Sequence, residues 1–204
     1  MSQSLNYSKD YYSGIQSGSA PSAREVARLI VELARPGSVV DVGCGSGAWT
    51  RAFKEAGVPK VLGIDGFYVK DEQLLIDPKE FQRADLAQPL QLAERFDLAV
   101  SLEVAEHLPG TRARSFVADL AKLSQVIMFS AAVPGQGGTH HINEQWPTYW
   151  AAIFREHGYE LFDVVRPKIW NNGTVKWWFR QNILMFVHRE AVARYPWAAN
   201  YVRT

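Results

Sequence analysis

The nine residues VVDVGCGSG, at positions 39–47, decide the fold class of this 204-residue chain. The run from Val39 to Val42 is apolar except for one aspartate, which is typical of a parallel strand buried on both faces. The glycines that follow allow a sharp turn and let the backbone approach a ligand closely. A helix is predicted directly after Gly47, so this segment predicts a strand, a glycine loop and a helix.

Strands and helices alternate on both sides of this segment. A helix is predicted over residues 23–34, before the strand at 38–42. The predicted strands that follow are 61–64, 81–84, 96–102, 126–130, 161–165 and 175–187, and the predicted helices are near 72–76, 112–123 and 146–157. Such alternation indicates a doubly wound α/β sheet. Asn171-Asn172-Gly173 is a hairpin turn signal between the last two strands, which predicts an antiparallel end to the sheet.

The composition fits one compact domain with a full core. Hydrophobic residues make up 47% of the chain and charged residues 21%, which is the range of ordinary globular proteins. Residues 1–21 are rich in Ser, Tyr and Gly and are expected to form a flexible arm. The folded domain is expected over residues 22–188, followed by a C-terminal tail at 189–204.

Charge and cysteine content exclude several classes of protein. A net charge of +1, without a run of like charge, favours neither a nucleic-acid backbone nor an anionic membrane. No stretch approaches the roughly 20 apolar residues that cross a bilayer. The single cysteine, Cys44, precludes an internal disulfide, and the first ten residues lack the segments of a secretory signal. We expect a cytoplasmic protein that acts on a small molecule, and no pattern predicts its oligomeric state.

Acidic residues stand at the predicted carboxyl ends of the strands, where α/β sheets bind ligands. Asp65 ends the second strand, 24 positions after Asp41, where a carboxylate can accept hydrogen bonds from both hydroxyls of a ribose. Asp85 ends the third strand, within reach of an adenine amino group. Together, the three acids predict a slot for an adenosine.

The glycine loop has two interpretations. Gly43, Gly45 and Gly47, with Ala48, also satisfy the looser GxGxxA pattern of dinucleotide-binding dehydrogenases. Asp41 argues against a dinucleotide, because a carboxylate two residues before the first glycine would repel a pyrophosphate at the helix N-terminus. The same carboxylate suits a cationic ligand. The alternative for Asp41 is a purely structural role in capping the loop.

A family resemblance rests on the ordered segments VVDVGCGSG, GIDG, ADL and FDLAVSLEVAEHLP. They resemble the successive motifs of class I S-adenosylmethionine-dependent methyltransferases. The resemblance covers about residues 23–188 and implies a Rossmann-like, mostly parallel sheet of seven strands. It also implies that the glycine loop holds the methionine end of the cofactor, Asp65 the ribose, Asp85 with the Leu86 backbone the adenine, and the Leu102 backbone the amino group.

Two histidines, His140 and His141, follow the fifth strand in the segment GTHHINEQWP, residues 138–147. Methyl transfer to oxygen or nitrogen usually requires the nucleophile to lose a proton. Glu103, Glu106 and His107 follow the fourth strand, and their spacing places them on one face if a helical turn begins there. Because the fourth and fifth strands are neighbours in this family's sheet, a histidine is expected to arrive beside that face.

The Glu-x-x-Glu-His segment with a later histidine resembles the metal constellation of small-RNA 3′-terminal ribose methyltransferases and of ubiquinone-pathway O-methyltransferases. On that resemblance, Glu103, Glu106, His107 and His141 would hold a divalent ion such as Mg, Mn or Zn. A neutral histidine can instead act as a general base without an ion, with His141, His140 and His107 as the candidates. A third interpretation leaves the histidines as loop residues without a catalytic role.

The expected function is therefore transfer of a methyl group from S-adenosylmethionine to a small molecule, at a hydroxyl oxygen. One alternative is N-methylation of a small amine, for which a base matters less. Another is a binding protein that retains the cofactor slot without the chemistry. RNA modification rests on the Glu-Glu-His-His resemblance alone, and the near-neutral charge counts against it.

Overall fold

A computed structural model describes the backbone of residues 9–200 and the side chains of residues 19–198. Its centre is one sheet of seven strands in the order β3-β2-β1-β4-β5-β7-β6. The strands are β1 Ser38–Val42, β2 Lys60–Asp65, β3 Phe81–Arg83, β4 Leu98–Leu102, β5 Val126–Ser130, β6 Tyr159–Phe162 and β7 Leu184–His188. Strands β1 to β5 pair in parallel, whereas β7 is antiparallel to both of its neighbours. The predicted Rossmann-like, mostly parallel sheet is confirmed.

The helices predicted over residues 23–34, after Gly47, over 112–123 and over 146–157 are present, and two further short helices that were not predicted follow β6. The helices are α1 Lys9–Ala34, α2 Ala48–Glu55, α3 Ala113–Leu123, α4 Pro147–Glu156, α5 Arg166–Ile169 and α6 Trp177–Asn182. Short 3₁₀ turns occupy Asp71–Gln73, Pro78–Glu80, Ala105–His107, Gly110–Arg112, Arg189–Arg194 and Pro196–Asn200. The helix predicted near residues 72–76 is thus replaced by two single turns. Within the described residues, no helix has the length and hydropathy needed to cross a membrane, not even α1 with its 26 residues.

Both faces of the sheet are covered by helices. Val39 packs into the core on the side of α1 and α2, whereas its neighbour Val40 packs into the core on the side of α3 and α4. This alternation follows from the two-residue period of a strand. Because both faces are buried, side chains that meet a ligand must come from the ends of the strands and the loops that follow them. The carboxyl ends of the parallel strands share one edge of the sheet, and we call it the carboxyl edge.

The first helix is longer than the sequence predicts. It begins at Lys9 and passes through Pro21, whereas the prediction was a start at Ala23. Pro21 and Ser22 were interpreted as a start signal, but the Ser22 hydroxyl instead accepts a hydrogen bond from the Lys176 backbone amide at 3.0 Å. The helix therefore takes in part of the predicted arm. Residues 1–8 of that arm and 201–204 of the tail lie outside the described residues.

The predicted antiparallel pair at the end of the sheet is confirmed, but the strand predicted over residues 175–187 begins only at Leu184, and its connection to the preceding strand is not the predicted tight turn. Strands β6 and β7 are antiparallel neighbours, but two short helices, α5 and α6, join them. Asn172 does stabilise a turn, because its side chain accepts a hydrogen bond from the Thr174 amide at 2.9 Å. The same side chain donates to the Glu25 carboxylate at 3.0 Å. In α6 the buried residues are Phe179 and Asn182. Their three-residue spacing is helical, and the adjacent aromatic residues concealed it.

Candidate active site

The glycine loop at the end of β1 depends on backbone conformations that other residues rarely adopt. Gly43, Gly45 and Gly47 have φ angles of 87°, 56° and 90°, in the left-handed region that favours glycine. A Cβ on Gly43 would lie 2.3 Å from the Val104 side chain, whereas a Cβ on Gly45 would meet nothing within 4 Å. Gly43 therefore allows close packing beneath the loop, and the space at Gly45 is open to a ligand.

Asp41 is 2% exposed and lies beneath this loop. Its carboxylate accepts hydrogen bonds from the Thr50 amide at 3.1 Å and from the Thr50 hydroxyl at 2.8 Å, so it caps the first turn of α2. The pKa of Asp41 is raised to about 7, chiefly because the carboxyl group is buried; the hydrogen bonds from Thr50 oppose the rise and the charge of Asp65 adds to it. Asp41 therefore has the structural role that the sequence analysis gave as the alternative, that of a capping aspartate.

Asp65 ends β2 beside the glycine loop and is 3% exposed. Its carboxylate accepts from the Gly45 amide at 2.5 Å and the Gly66 amide at 2.6 Å. The Tyr68 hydroxyl donates a third hydrogen bond to it. Burial raises the pKa of Asp65, while these hydrogen bonds lower it. Tyr68 was missed from the sequence, and its position three residues after Asp65 is the signal that could have found it.

The loop after β3 carries Asp85 and Leu86. Asp85 is exposed and accepts a hydrogen bond from the Ala87 amide at 3.0 Å. The Leu86 carbonyl accepts from the Arg112 guanidinium at 3.1 Å. Arg112 also donates to the carbonyl of Gln88, at 2.9 Å.

Arg112 is held in turn by a buried ion pair with Asp119, whose side chains are 6% and 4% exposed. The Asp119 carboxylate also accepts from the Leu90 amide at 2.9 Å. This ion pair fixes the path of the loop at both of its ends. Sequence reasoning missed it, because both residues lie on a predicted helix where charged side chains are usually solvated.

After β4, the backbone at Glu103 does not follow the helical turn that the sequence predicts. Its φ is 56°, and its amide donates to the carbonyl and hydroxyl oxygens of Ser130 at 3.0 and 3.1 Å. The helical turn consequently begins only at Ala105. The prediction that Glu103 shares one helical face with Glu106 and His107 is wrong, because a left-handed residue interrupts the helical path.

The Glu103 side chain is bound by two side-chain amides, one from the loop after β5 and one from the end of α6. It accepts from Gln136 at 2.9 Å and from Asn182 at 3.2 Å, and Asn182 also donates to the Gln136 side chain at 2.8 Å. Burial raises the pKa of Glu103, and these hydrogen bonds lower it. Leu102, just before it, is 8% exposed at the end of β4.

Glu106, His107 and His141 lie together at the carboxyl edge. One ligand atom from each lies within 4.8 Å of the other two, and the two imidazole rings meet edge to face with centroids 4.9 Å apart. The Glu106 carbonyl accepts from the amides of Ile142 and Asn143 at 2.9 and 3.0 Å. The predicted arrival of the histidine loop beside the segment after β4 is confirmed.

The Glu106 carboxylate is fully buried, and neither of its oxygens has a hydrogen-bond partner of normal geometry among the described residues. Burial raises its pKa well above the ordinary value, and the charge of Glu103 raises it further; the backbone amides of Glu106 and Ala132 offset only part of this. A buried carboxylate without a partner costs several kcal/mol. The group therefore fits either a bound cation or a proton held on Glu106.

His107 is held in its neutral form. Burial, and then the nearby His141, lower its pKa to about 4. Its Nδ1 lies 3.3 Å from the His140 carbonyl oxygen, so that Nδ1 donates and Nε2 retains a lone pair. A neutral imidazole of this kind can bind a metal ion or accept a proton.

The two adjacent histidines differ in position. His140 has a φ of 60°, its side chain is exposed, and its carbonyl is the group that contacts His107. The His141 side chain is 12% exposed, and its Nδ1 lies 3.0 Å from the Glu144 carboxylate. Glu144 was missed from the sequence, although its three-residue spacing from His141 was the available signal.

Comparison with known proteins places the chain in a family. The model of the methyltransferase domain family matches residues 19–182. A probable chloroplastic tocopherol O-methyltransferase of Oryza sativa subsp. japonica is 37% identical over 99 residues. That match covers 44% of this chain and 26% of the rice protein, so this chain corresponds to about a quarter of that relative's length.

Solved structures share the fold at low sequence identity. DesVI of Streptomyces venezuelae superposes with a TM-score of 0.65 at 14% identity, covering 91% of this chain and 100% of its own. The magnesium protoporphyrin IX methyltransferase ChlM of Synechocystis PCC 6803, solved with bound SAH, gives 0.59 at 18% identity, covering 91% and 90%. Because the family model spans most of the chain and the sheet has the expected topology, the chain belongs to the methyltransferase domain family, within the class I S-adenosylmethionine-dependent methyltransferases.

Proposed function

We propose that this chain transfers a methyl group from S-adenosylmethionine to a hydroxyl oxygen of a small-molecule acceptor. The observation that carries the oxygen assignment is the buried group of Glu106, His107 and His141, because a hydroxyl must lose a proton to attack, whereas an amine can attack as it stands. The near-neutral net charge of +1 favours a small acceptor over a nucleic acid.

The cofactor slot lies along the carboxyl edge of β1 to β4. The open loop at Gly45 would receive the methionine end, and the Leu102 backbone would bind its amino group. Asp65 would bind the ribose hydroxyls, and Asp85 with the Leu86 amide would bind the adenine. Asp41 and Asp65 place two buried carboxyl groups near the loop, which suits a sulfonium ligand better than a diphosphate.

The acceptor hydroxyl is activated beside Glu106. In the ion-free version, the Nε2 lone pair of His107 or His141 takes the hydroxyl proton directly. In the other version, Glu106, His107 and His141 would hold a divalent ion of the Mg, Mn or Zn kind, with Glu103 as a further ligand after release from Gln136 and Asn182. Such an ion, when bound, lowers the pKa of an acceptor hydroxyl.

The buried carboxylate of Glu106 supports the version with an ion. A carboxylate and two imidazoles form a mixed oxygen and nitrogen ligand set that suits Mn or Zn. His107 is already neutral, as a ligand must be. The rice relative, named as an O-methyltransferase, supports oxygen as the acceptor atom.

The test combines binding and turnover on protein freed of metal with EDTA. Calorimetry with S-adenosylhomocysteine establishes the cofactor slot, and a screen of phenols, catechols, sugars and amines, with and without Mg²⁺, Mn²⁺ or Zn²⁺, establishes the acceptor. We expect methylation of a hydroxyl compound that depends on the ion, and loss of Mn²⁺ binding in Glu106→Gln. Glu190→Gln, at a 78% exposed side chain, is the matched control.

Each other outcome has a definite meaning. Full activity in EDTA would leave only the general-base version. Methylation of amines alone would overturn the assignment to oxygen. Binding of the cofactor without turnover on any acceptor would favour the non-catalytic binding protein.

A further inference from the structure

Glu144 lies on the histidine loop, inside a nest of backbone amides. One of its carboxylate oxygens accepts from the Gly135 amide at 2.8 Å, and the other accepts from the Gly137 amide at 3.1 Å. Both glycines have left-handed backbone conformations, with φ angles of 84° and 71°. Successive amides that converge in this way bind an anion, so the Gly-rich loop fixes the position of the carboxylate.

The same carboxylate oxygen that binds Gly137 also lies 3.0 Å from His141 Nδ1. A carboxylate accepts hydrogen bonds and cannot donate them, so Nδ1 must carry the proton. The unprotonated nitrogen of a neutral His141 is therefore Nε2. The pair is largely shielded, with side chains 12% and 20% exposed, so water competes weakly for this hydrogen bond.

The His141 ring packs against Gly138. A Cβ on Gly138 would be 2.3 Å from Nε2 and 2.4 Å from the neighbouring Cε1, closer than a side chain can approach. Only glycine at this position leaves room for the ring. The loop thus combines two features, a pair of backbone amides that fixes the carboxylate and a glycine that makes space for the imidazole.

We propose that Glu144 is a positioning residue, which holds His141 as the Nδ1–H tautomer and so directs the Nε2 lone pair to the acceptor or to the ion. This inference rests on the proposed function for its purpose. The claim that Glu144 sets the tautomer of His141 does not depend on which acceptor or ion is used. Carboxylates that orient a histidine in this way contribute about 10- to 100-fold to metal affinity or activity.

The decisive measurement is the tautomer of His141. Two-dimensional ¹⁵N–¹H spectra distinguish the two ring nitrogens of a neutral histidine, and the chain has only five histidines to assign. On full-length, metal-free protein, well above the usual imidazole pKa of about 6.5, we expect His141 to be protonated at Nδ1. In Glu144→Gln the Nδ1–H form should lose population to Nε2–H, because an amide that turns its NH₂ group toward the ring no longer accepts.

His188 and Glu190 provide a matched control. His188 Nδ1 lies 3.7 Å from the Glu190 carboxylate and accepts from the Glu190 amide at 3.4 Å, at the end of β7 opposite the carboxyl edge. Glu190→Gln should therefore leave the His141 signals unchanged. Circular dichroism and S-adenosylhomocysteine affinity equal to wild type verify that each variant is folded.

Two activity readouts complete the test. In Glu144→Gln, kcat should fall about 10- to 100-fold while the KM for S-adenosylmethionine is unchanged. Gly138→Ala, whose Cβ would collide with the His141 ring, should lower kcat by displacing the imidazole. An Nε2–H form in wild type, or an unchanged tautomer in Glu144→Gln, would overturn the inference. Failure of the proposed function would show differently, as absent cofactor binding or absent turnover in wild type with the His141 tautomer as expected.

Discussion

The rings of His107 and His141 meet edge to face, with centroids 4.9 Å apart and planes at 84°, although the two residues follow different strands. The hydrogen-bond partners of both rings engage Nδ1, namely the His140 carbonyl and the Glu144 carboxylate. Each ring is thereby left with an Nε2 lone pair, and one ring nitrogen of each lies within 4.8 Å of a Glu106 carboxylate oxygen. Two imidazoles next to a carboxylate that has no hydrogen-bond partner of normal geometry among the described residues form a site for proton or ion chemistry.

Replacement of His141 by alanine should lower turnover without weakening cofactor binding. The side chain lies in the group with Glu106 and His107 and is not among the residues proposed to bind the cofactor, so S-adenosylhomocysteine affinity should stay close to that of wild type. Turnover should fall by about 10²- to 10⁴-fold, which is the usual contribution of a positioned base. Calorimetry and initial rates measure the two quantities. Loss of cofactor affinity equal to the loss of rate would contradict this expectation.

Replacement of Asp65 by alanine should weaken S-adenosylhomocysteine binding at least tenfold, since each hydrogen bond to a charged group is worth about 1.5–3 kcal/mol. Tyr68→Phe should have the opposite effect and strengthen S-adenosylhomocysteine binding. The Tyr68 hydroxyl already donates to Asp65, where a ribose hydroxyl would donate, so its removal ends that competition. We expect a modest gain in affinity, by a fewfold, in calorimetry. A loss in Tyr68→Phe would instead make Tyr68 a cofactor contact.

The stability of the fold should depend on pH through Asp41. Its pKa is about 7 in the folded protein and 3.8 as the ordinary value, so the folded state holds the proton more tightly. The resulting stability is fully present below about pH 4 and is lost as pH rises through about 7. Asp41→Asn keeps an acceptor for Thr50 but cannot ionise.

Urea unfolding at several pH values measures this effect. Between about pH 4 and pH 8, the free energy of unfolding of wild type should fall by a few kcal/mol relative to Asp41→Asn. The other buried carboxyl groups are present in both proteins, so their contributions cancel in the difference. Two curves that run parallel across this range would contradict the prediction.

Breaking the buried Arg112–Asp119 pair should lower the free energy of unfolding more than breaking an ion pair at the surface does. Arg112→Met leaves the buried Asp119 with the exposed Lys122 as its remaining charged partner among the described residues, and we expect a loss of about 3 kcal/mol in the free energy of unfolding. Adding Asp119→Leu should restore much of it. The control is Arg51→Met, at the exposed pair with Glu55, which should cost less than about 1 kcal/mol. Equal losses at the two pairs would contradict the prediction.

The sequence alone was sufficient for the frame of the site. The run from Val39 to Val42, the glycines after it and the acid at Asp65 are local patterns, and local patterns specify strands, tight turns and the edge where a ligand binds. The neighbouring positions of β4 and β5 followed from family topology. The histidine loop and the Glu106 segment were therefore predicted to meet, and they do.

Residue spacing predicted the local structure less reliably where contacts with distant residues determine the backbone conformation. Glu103 was predicted to share a helical face with Glu106, but Ser130 on the neighbouring strand binds its amide and a left-handed conformation turns the chain away. The predicted last strand is partly helix, because Phe179 and Asn182 are buried three residues apart. Neither contact leaves a pattern in the residues beside it.

The sequence thus determined the type of sheet and the edge that carries the site, because strand and turn preferences act over a few residues. The tertiary structure alone decided which side chains meet at that edge. The Glu106 carboxylate is fully buried where the segment after β4 meets the loop after β5, and Glu103 is bound by Gln136 and Asn182, which are distant along the chain. The burial and the partners of a side chain depend on every element packed around it, so the residues beside Glu103 and Glu106 in the sequence do not encode them.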